Sequence, residues 1–395
     1  VRRWKRDVTR PEILISAGEA SSDMYAARLA TALTKRTRAH LFGMGGQRMR
    51  EAGVELVVDC SEIAVVGIFE VLKRLPNVWR AWRRMEQEAA RRSPRLGILL
   101  DSPGFNLGMG RRLRKQGIPL VYFISPQVWA WRPGRVKIVK RLVERVLVIF
   151  PFEEEFYTRA GVPVDFVGHP LADTVHATMT RAEFAARHGL DPARPILALL
   201  PGSRPSELAY HMPVILEACV RLARDLNPQL VLAAAPGVSR QKLACWTRPG
   251  LKIHTVEGAT YDALAAADAA IVSSGTATVE AALLGTPMVV IYRVSRLSAF
   301  VGRRMIRTPF FAMANLIAGR QIVTELIQEG FTAPALESEV RRLLVSDAAR
   351  QQMKQDLGGV RAKLGSGGAI EHAAGIIEGL LENMGQATAG APLVS

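Results

Sequence analysis

This chain has little that would let it hold a metal, staple itself with disulfides or cross a membrane. Its three cysteines, Cys60, Cys219 and Cys245, are scattered through 395 residues with no Cys-x-x-Cys or Cys/His cluster. That excludes a zinc site or disulfide framework and fits a reducing cytoplasm. No Asp-x-Asp pair follows any strand-like run, so no metal is expected, and Gly18-Glu19-Ala20-Ser21-Ser22-Asp23 is not Gly-x-Gly-x-x-Gly, so no nicotinamide cofactor is expected. No apolar run approaches the roughly 18 residues of a membrane span. The basic start, Val1-Arg2-Arg3-Trp4-Lys5-Arg6, lacks the apolar stretch of a signal peptide. Any membrane contact is therefore expected to be peripheral. Acidic residues are in deficit, 36 Asp and Glu against 52 Lys and Arg, for a formal charge of +16. Such an excess fits nucleic acid, a membrane surface or an anionic substrate, and equally a solvated basic surface. No RNA- or DNA-binding module and no aromatic-basic strand platform is present, so nucleic acid is not expected as a partner.

What is present is an alternation of short apolar runs with helical stretches. Ile13–Ala17, His40–Met44, Leu96–Leu100, Pro119–Ile124 and Val146–Phe150 read as strands, and Val164–Pro170 closes this first series. The pattern restarts at Pro195–Leu200 and continues through Gln229–Ala233, Ala269–Val272 and Pro287–Ile291. Apolar runs between helical segments predict parallel sheets covered on both faces. The expected fold class is α/β, with two doubly wound, Rossmann-like parallel-sheet domains. We expect the boundaries 1–172 and 173–355, with a helical tail over 356–395 hinged at Gly358-Gly359 and Gly365–Gly368 and unstructured from Gln386. Ligands of such sheets sit outside the carboxyl ends of the strands, which predicts a cleft site between the domains.

Leu200-Pro201-Gly202-Ser203-Arg204 ends a strand. Gly202 lets the backbone approach a ligand, Ser203 and nearby N–H groups suit phosphate, and Arg204 adds a cation. An ordinary strand–helix turn with a surface arginine fits as well. Gly275-Thr276-Ala277-Thr278-Val279-Glu280 opens a helix whose first-turn N–H groups are free, and Glu280 can accept hydrogen bonds from a vicinal diol. A capped helix with an acid favouring its dipole is the plainer reading. Asn315 precedes a helical stretch containing Glu325, and is a candidate cap and phosphate contact. Asp101, directly after a buried strand, is a candidate general base or a turn-capping residue. Trp129, Trp131 and Arg132 crowd one loop with Gln127 before them, suiting a pocket wall that stacks on a sugar or holds a phosphate. Val66, Ile68 and Phe69 precede Lys73, Arg74, Arg80, Arg83 and Arg84, the composition of an interfacial membrane segment and also of a core-facing amphipathic helix.

Taken in order, Gly18-Glu19-Ala20-Ser21, Asp101–Asn106, Ser125–Trp131, Val167–Leu171, Leu200–Arg204, Ser274–Thr278 and Asn315–Arg320 resemble the lipid-A-disaccharide synthases, over about 13–381 of the chain. The resemblance implies a GT-B fold and an inverting, metal-independent transfer. In it, 2,3-diacylglucosamine passes from UDP-diacylglucosamine to the 6-hydroxyl of 2,3-diacylglucosamine 1-phosphate (lipid X), giving a β-1,6 disaccharide and UDP. It implies Asp101 or Glu19 as the base and a UDP site at Gly202, Ser203, Arg204, Gly275, Thr276, Glu280 and Asn315. Acceptor and lipid contacts would come from Gln127, Trp129, Trp131, Arg132, Val66, Ile68 and Phe69. It also implies peripheral attachment to the anionic cytoplasmic face of the inner membrane and a homodimer exchanging C-terminal segments. Another GT-B enzyme acting on UDP-N-acetylglucosamine, a 2-epimerase or a peptidoglycan glycosyltransferase, is the alternative, since it would share the nucleotide half. The chain departs from the family's Gly-Glu-Ala-Ser-Gly-Asp pattern at Ser22, and again at Ala26. These departures predict a first loop less free to approach a ligand. Met313-Ala314 and Gly104 are further departures, and Gly104 leaves Asp101 as the acid of its loop.

Overall fold

The computed structural model describes residues 10–63, 68–126, 128–131, 133–235, 238, 243, 245–246, 248–295, 299–300 and 308–389. Its contacts divide the chain into two units, one holding the residues up to Pro170 together with those from Gly367, the other Leu171–Ser366.

In the first unit, strands β1 (Glu12–Ala17), β2 (His40–Gly45), β3 (Glu55–Asp59), β4 (Leu96–Leu100), β5 (Leu120–Phe123), β6 (Arg145–Val148) and β7 (Val164–Phe166) form one parallel sheet. Its order is β3-β2-β1-β4-β5-β6-β7. The second unit repeats the plan with β8 (Ile196–Leu200), β9 (Gln229–Ala234), β10 (Ile253–Glu257), β11 (Ala269–Ser273), β12 (Met288–Tyr292) and β13 (Thr324–Ile327). The second order is β10-β9-β8-β11-β12-β13, again parallel. The inner strands β4, β8 and β11 are buried at every residue, as continuous apolar runs covered on both faces must be.

β3, β10 and β13 are the strands that the apolar pattern does not reveal. All three are sheet edges with mostly part-exposed side chains, so polar residues interrupt the run on which strand reading depends. Glu325, expected inside a helix, lies in β13.

The C-terminal segment also departs from expectation. Helix Asp347–Leu364 runs through Gly358-Gly359 without a break, because Met353, Leu357, Val360 and Leu364 give it a continuous buried stripe. The turn comes at Gly365, Gly367 and Gly368, all with positive φ, where side chains would be strained. Helix Ala369–Ala389 follows, so Gln386 is helical. It packs on helix Ala20–Thr37 of the first unit. Arg36 bridges to Glu378 at 2.7 Å, and Arg95 Nη2 donates to the carbonyl of Leu381 at 2.8 Å.

In each sheet the chain reverses its winding at the middle, between β1 and β4 and between β8 and β11. The paired registers Ala17↔Leu100 and Leu200↔Val272 place the loops after these strands side by side. Such switch points are where doubly wound sheets bind ligands.

Candidate functional sites at the two switch points

At the first switch point the loops carrying Glu19 and Asp101 leave neighbouring strands. They cross closely: a Cβ at Gly18 would stand 2.6 Å from Ser102 Oγ, so a larger residue would have to push the Ser102 side chain aside. Asp101 and Ser102 both take left-handed backbone, with φ 43° and 44°, a conformation that costs a non-glycine residue roughly 1–2 kcal/mol. Buried bonds hold it in place. Asn106 Nδ2 donates to the carbonyls of Leu100 and Asp101 at 2.7 and 2.9 Å, and Tyr122 Oη donates to the Asp101 carbonyl at 2.6 Å. Ser16 Oγ in turn donates to Asn106 Oδ1 at 2.7 Å. Burial, and then the charge of Glu19, raises the Asp101 carboxyl to about 6. A carboxylate of that basicity suits proton abstraction near neutral pH.

Ser22 and Ala26 do not distort this loop. Both lie inside helix Ala20–Thr37 with negative φ, where glycine has no advantage. Ser22 Oγ accepts from the Glu19 N–H at 3.0 Å and donates to the Glu19 carbonyl at 2.9 Å, tightening the turn that presents Glu19.

The tryptophan loop lies in the same unit. The Trp129 indole N–H donates to Glu153 Oε1 at 3.0 Å, and its ring meets Phe152 edge-on at 4.8 Å. Glu153 also accepts from the Phe150 N–H at 3.2 Å. Its carboxyl is pushed up to about 8 by burial, against the lowering effect of Trp129. Nothing in the run Glu153-Glu154-Glu155 distinguishes Glu153; only its place at the third position of helix Pro151–Arg159 turns it inward. Gln127 and Arg132 lie outside the described residues, as does the Trp131 side chain. So do Val66 and the side chains of Ile68 and Phe69, although Ile68 and Phe69 open helix Ile68–Arg92. Further along that helix, Ala81, Met85 and Ala89 are buried and Trp82 donates to the Phe105 carbonyl at 3.2 Å. Trp79 is 48% exposed, with the Arg83 guanidinium 4.0 Å above its ring. The helix thus has both a core face and an aromatic-basic outer face.

At the second switch point a cavity of about 780 Å³ is lined by Gly202, Ser203, Arg204, Gly275, Thr276 and Glu280 among others. Gly202 has φ 119°, and a Cβ there would lie 2.4 Å from Glu207 Oε2. The N–H groups of Ser203 and Arg204, expected to serve a phosphate, both donate to Glu207 Oε2, at 2.9 and 3.1 Å. Glu207 stands at the third position of helix Pro205–Leu222 and reaches back to its start. The Arg204 side chain is 73% exposed and only 3.4 Å from Glu207 Oε1. Its guanidinium is therefore open to an anion, whereas the Ser203 and Arg204 N–H groups are already taken by Glu207.

Gly275, with φ 143°, caps helix Thr276–Leu284. As the first two helical residues, Thr276 and Ala277 have no intrahelical acceptor for their N–H groups, and both line the cavity. Glu280 lies one turn further in. Its Oε1 accepts from Tyr261 Oη at 3.2 Å, and burial raises its carboxyl. Asp262, also in the wall, clamps the segment leading into the unit by accepting from the N–H groups of Thr178 and Met179 at 2.6 and 2.9 Å.

Asn315 does not do what its position in the sequence promises. It is fully buried inside helix Met313–Ala318, which Ala312 caps. Its Oδ1 accepts from the N–H groups of Ile322 and Val323, at 2.7 and 3.0 Å. Its Nδ2 donates to the Val323 carbonyl and Glu325 Oε1, at 3.0 and 2.7 Å. All the hydrogen-bonding capacity of the amide is used, leaving none for a phosphate. Glu325 also receives the N–H groups of Phe311 and Ala312, and Ser274 Oγ donates to the Phe311 carbonyl at 2.9 Å. The pair therefore braces the approach to the 276–284 helix.

Among the described residues, no three His, Cys, Asp or Glu side chains converge as metal ligands, and no helix is long and apolar enough to cross a membrane.

A family model described as lipid-A-disaccharide synthetase matches residues 13–372. The lipid-A-disaccharide synthase of Solibacter usitatus is 44% identical over 382 residues, covering 96% of this chain and 99% of the relative. That of Geobacter sulfurreducens is 46% identical over 382 residues, covering 96% and 98%. Among solved structures, the UDP-GlcNAc 2-epimerase of Neisseria meningitidis bound to UDP-GlcNAc superposes with TM-score 0.63 at 12% identity, covering 94% of this chain and all of the other. Acinetobacter baumannii MurG superposes with TM-score 0.58 at 13% identity, covering 94% and 99%. At such identities these two structures bear on the fold alone.

Proposed function

The chain belongs to the lipid-A-disaccharide synthase family, glycosyltransferases of GT-B fold that use a nucleotide sugar, and from that premise we propose how its two switch-point sites divide the reaction. The second-unit cavity takes UDP-diacylglucosamine. The Arg204 guanidinium and the N–H groups of Gly275, Thr276 and Ala277 meet the diphosphate, and Glu280 accepts hydrogen bonds from the ribose hydroxyls. The first unit takes the 2,3-diacylglucosamine 1-phosphate acceptor against the Trp129 loop. Asp101 removes the proton of the acceptor 6-hydroxyl as that oxygen attacks the anomeric carbon. The bond to UDP breaks on the opposite face, with inversion to a β-1,6 linkage. Arg204 and the helix N-terminus stabilise the charge gathering on the departing diphosphate. Glu19 keeps Asp101 basic.

What supports this reading is, in the first unit, Asp101 raised to about 6 beside Glu19 and, in the second, a cavity-lining helix N-terminus with a buried acid one turn in. Apolar residues near Val66, Ile68 and Phe69, with Trp79 and Arg83 beyond them, would seat the protein on the anionic cytoplasmic face of the inner membrane. The Gly365–Gly368 turn would let helix Ala369–Ala389 dock on a second copy in a homodimer. The test is purified protein with UDP-diacylglucosamine and the 1-phosphate acceptor in detergent, the product linkage being read by NMR. A β-1,6 disaccharide is expected. Turnover of a non-acylated acceptor without detergent, or an α-linked product, overturns the proposal.

A further inference from the structure

The loop Pro201–Arg204 owes its shape to residues that line up on one face of the helix behind it. Helix Pro205–Leu222 presents Glu207 and His211 four positions apart, hence one above the other. Glu207 takes the N–H groups of Ser203 and Arg204. His211 is fully buried, with Nδ1 2.6 Å from the Pro201 carbonyl oxygen. A carbonyl only accepts, so Nδ1 carries the proton, and Nε2 is left to accept from the Arg293 N–H at 2.9 Å. The two backbone groups together select one neutral tautomer of the ring, and burial lowers the affinity of His211 for a second proton.

The far side of this bridge is itself anchored. The Arg293 guanidinium donates to the carbonyls of Gln328 and Phe331 and lies 5.0 Å above the Phe331 ring. Phe331 meets the His211 ring edge-on at 5.7 Å. His211 therefore ties the loop after β8 to the backbone after β12.

We propose that His211 is a positioning residue for the donor nucleotide: by holding the Pro201 carbonyl it fixes the direction in which Gly202, Ser203 and the Arg204 guanidinium enter the cavity. This rests on reading that cavity as the UDP site. His211 touches no substrate, so its effect falls on donor affinity and not on the chemical step.

Two near-isosteric variants separate the two ring nitrogens. His211→Asn places an amide N–H where Nδ1 stands and keeps the bond to Pro201. His211→Gln places its amide where Nε2 stands and keeps the Arg293 side. With UDP affinity read by calorimetry and donor KM by initial rates, His211→Asn is expected to stay within about threefold of wild type and His211→Gln to lose about tenfold or more, with kcat at saturating donor little changed. Equal losses in the two variants, or a loss confined to His211→Asn, overturn the proposal. Amide exchange of Gly202, Ser203 and Arg204 in the ligand-free protein gives a readout independent of UDP. Exchange should quicken in His211→Gln and not in His211→Asn, and identical exchange overturns the proposal. If wild-type protein binds no UDP, the reading of the cavity fails, while the exchange comparison still decides whether His211 holds the loop.

Discussion

Replacing Asp101 with Asn should remove the activity and make the protein more stable, but only above the pH at which Asp101 ionises. The folded protein raises this carboxyl from 3.8 to about 6, chiefly by burial and next by the charge of Glu19. A raised carboxyl binds its proton more tightly in the folded than in the unfolded chain. Its effect on stability is therefore absent below pH 3.8, grows as pH rises through the interval to about 6, and is a full penalty above it. At about 1.4 kcal/mol for each tenfold change in proton affinity, the penalty is about 3 kcal/mol, or about 2 once partial solvent access is allowed for. Asn keeps the shape and carries no charge. Asp101→Asn should therefore melt about 4–8 °C above wild type at pH 7.5 and show little gain at pH 4. Its kcat should fall ~10²-fold or more, the usual loss for a general base. In the wild type, kcat/KM should fall off on the acid side near pH 6, and Glu19→Gln should move that limb to lower pH because one of the two causes is gone. Scanning calorimetry at the two pH values and a pH–rate profile check this. Equal melting gains at both pH values, or an active Asp101→Asn enzyme, would refute the reasoning.

Arg204→Ala should weaken UDP binding by about tenfold if its exposed guanidinium is the cation that meets the diphosphate, as proposed; unchanged affinity by calorimetry would show that it points elsewhere. Asn315→Ala should lower stability by about 2–4 kcal/mol in urea unfolding, because it strands the buried N–H groups of Ile322 and Val323; a loss below about 0.5 kcal/mol would mean water replaces the amide. Val66→Ser with Phe69→Ser should release the protein from anionic vesicles in co-sedimentation, and retained binding would move the membrane patch to another surface.

Much of the fold was legible because inner parallel strands are apolar on both faces. The runs at Leu96–Leu100 and Ala269–Val272 can be little else, and the turns after them stand at the strand ends where doubly wound sheets bind ligands. The edge strands at 55–59, 253–257 and 324–327 were not legible, since one exposed side admits polar residues. The glycine pair at 358–359 was misleading, because helix packing outweighs the modest cost of glycine when a buried stripe continues past it.

The sequence by itself marked which loops are candidates for chemistry: Asp101, Arg204 and the Gly275 turn stand just after strand ends, and Glu280 one helical turn further on. Tertiary structure decided how those groups are spent. Only the pairing of β1 with β4 brings Glu19 beside Asp101 and makes that acid basic. Only the folded chain shows that Glu207 already holds the Ser203 and Arg204 N–H groups, that Asn315 is consumed by residues 322–325, that His211 holds the Pro201 carbonyl and that Glu153 holds the Trp129 indole. The reason is physical. Helix and strand tendencies are local, whereas the partner of a buried polar group, and with it that group's charge, is set by whichever distant segment the fold lays against it.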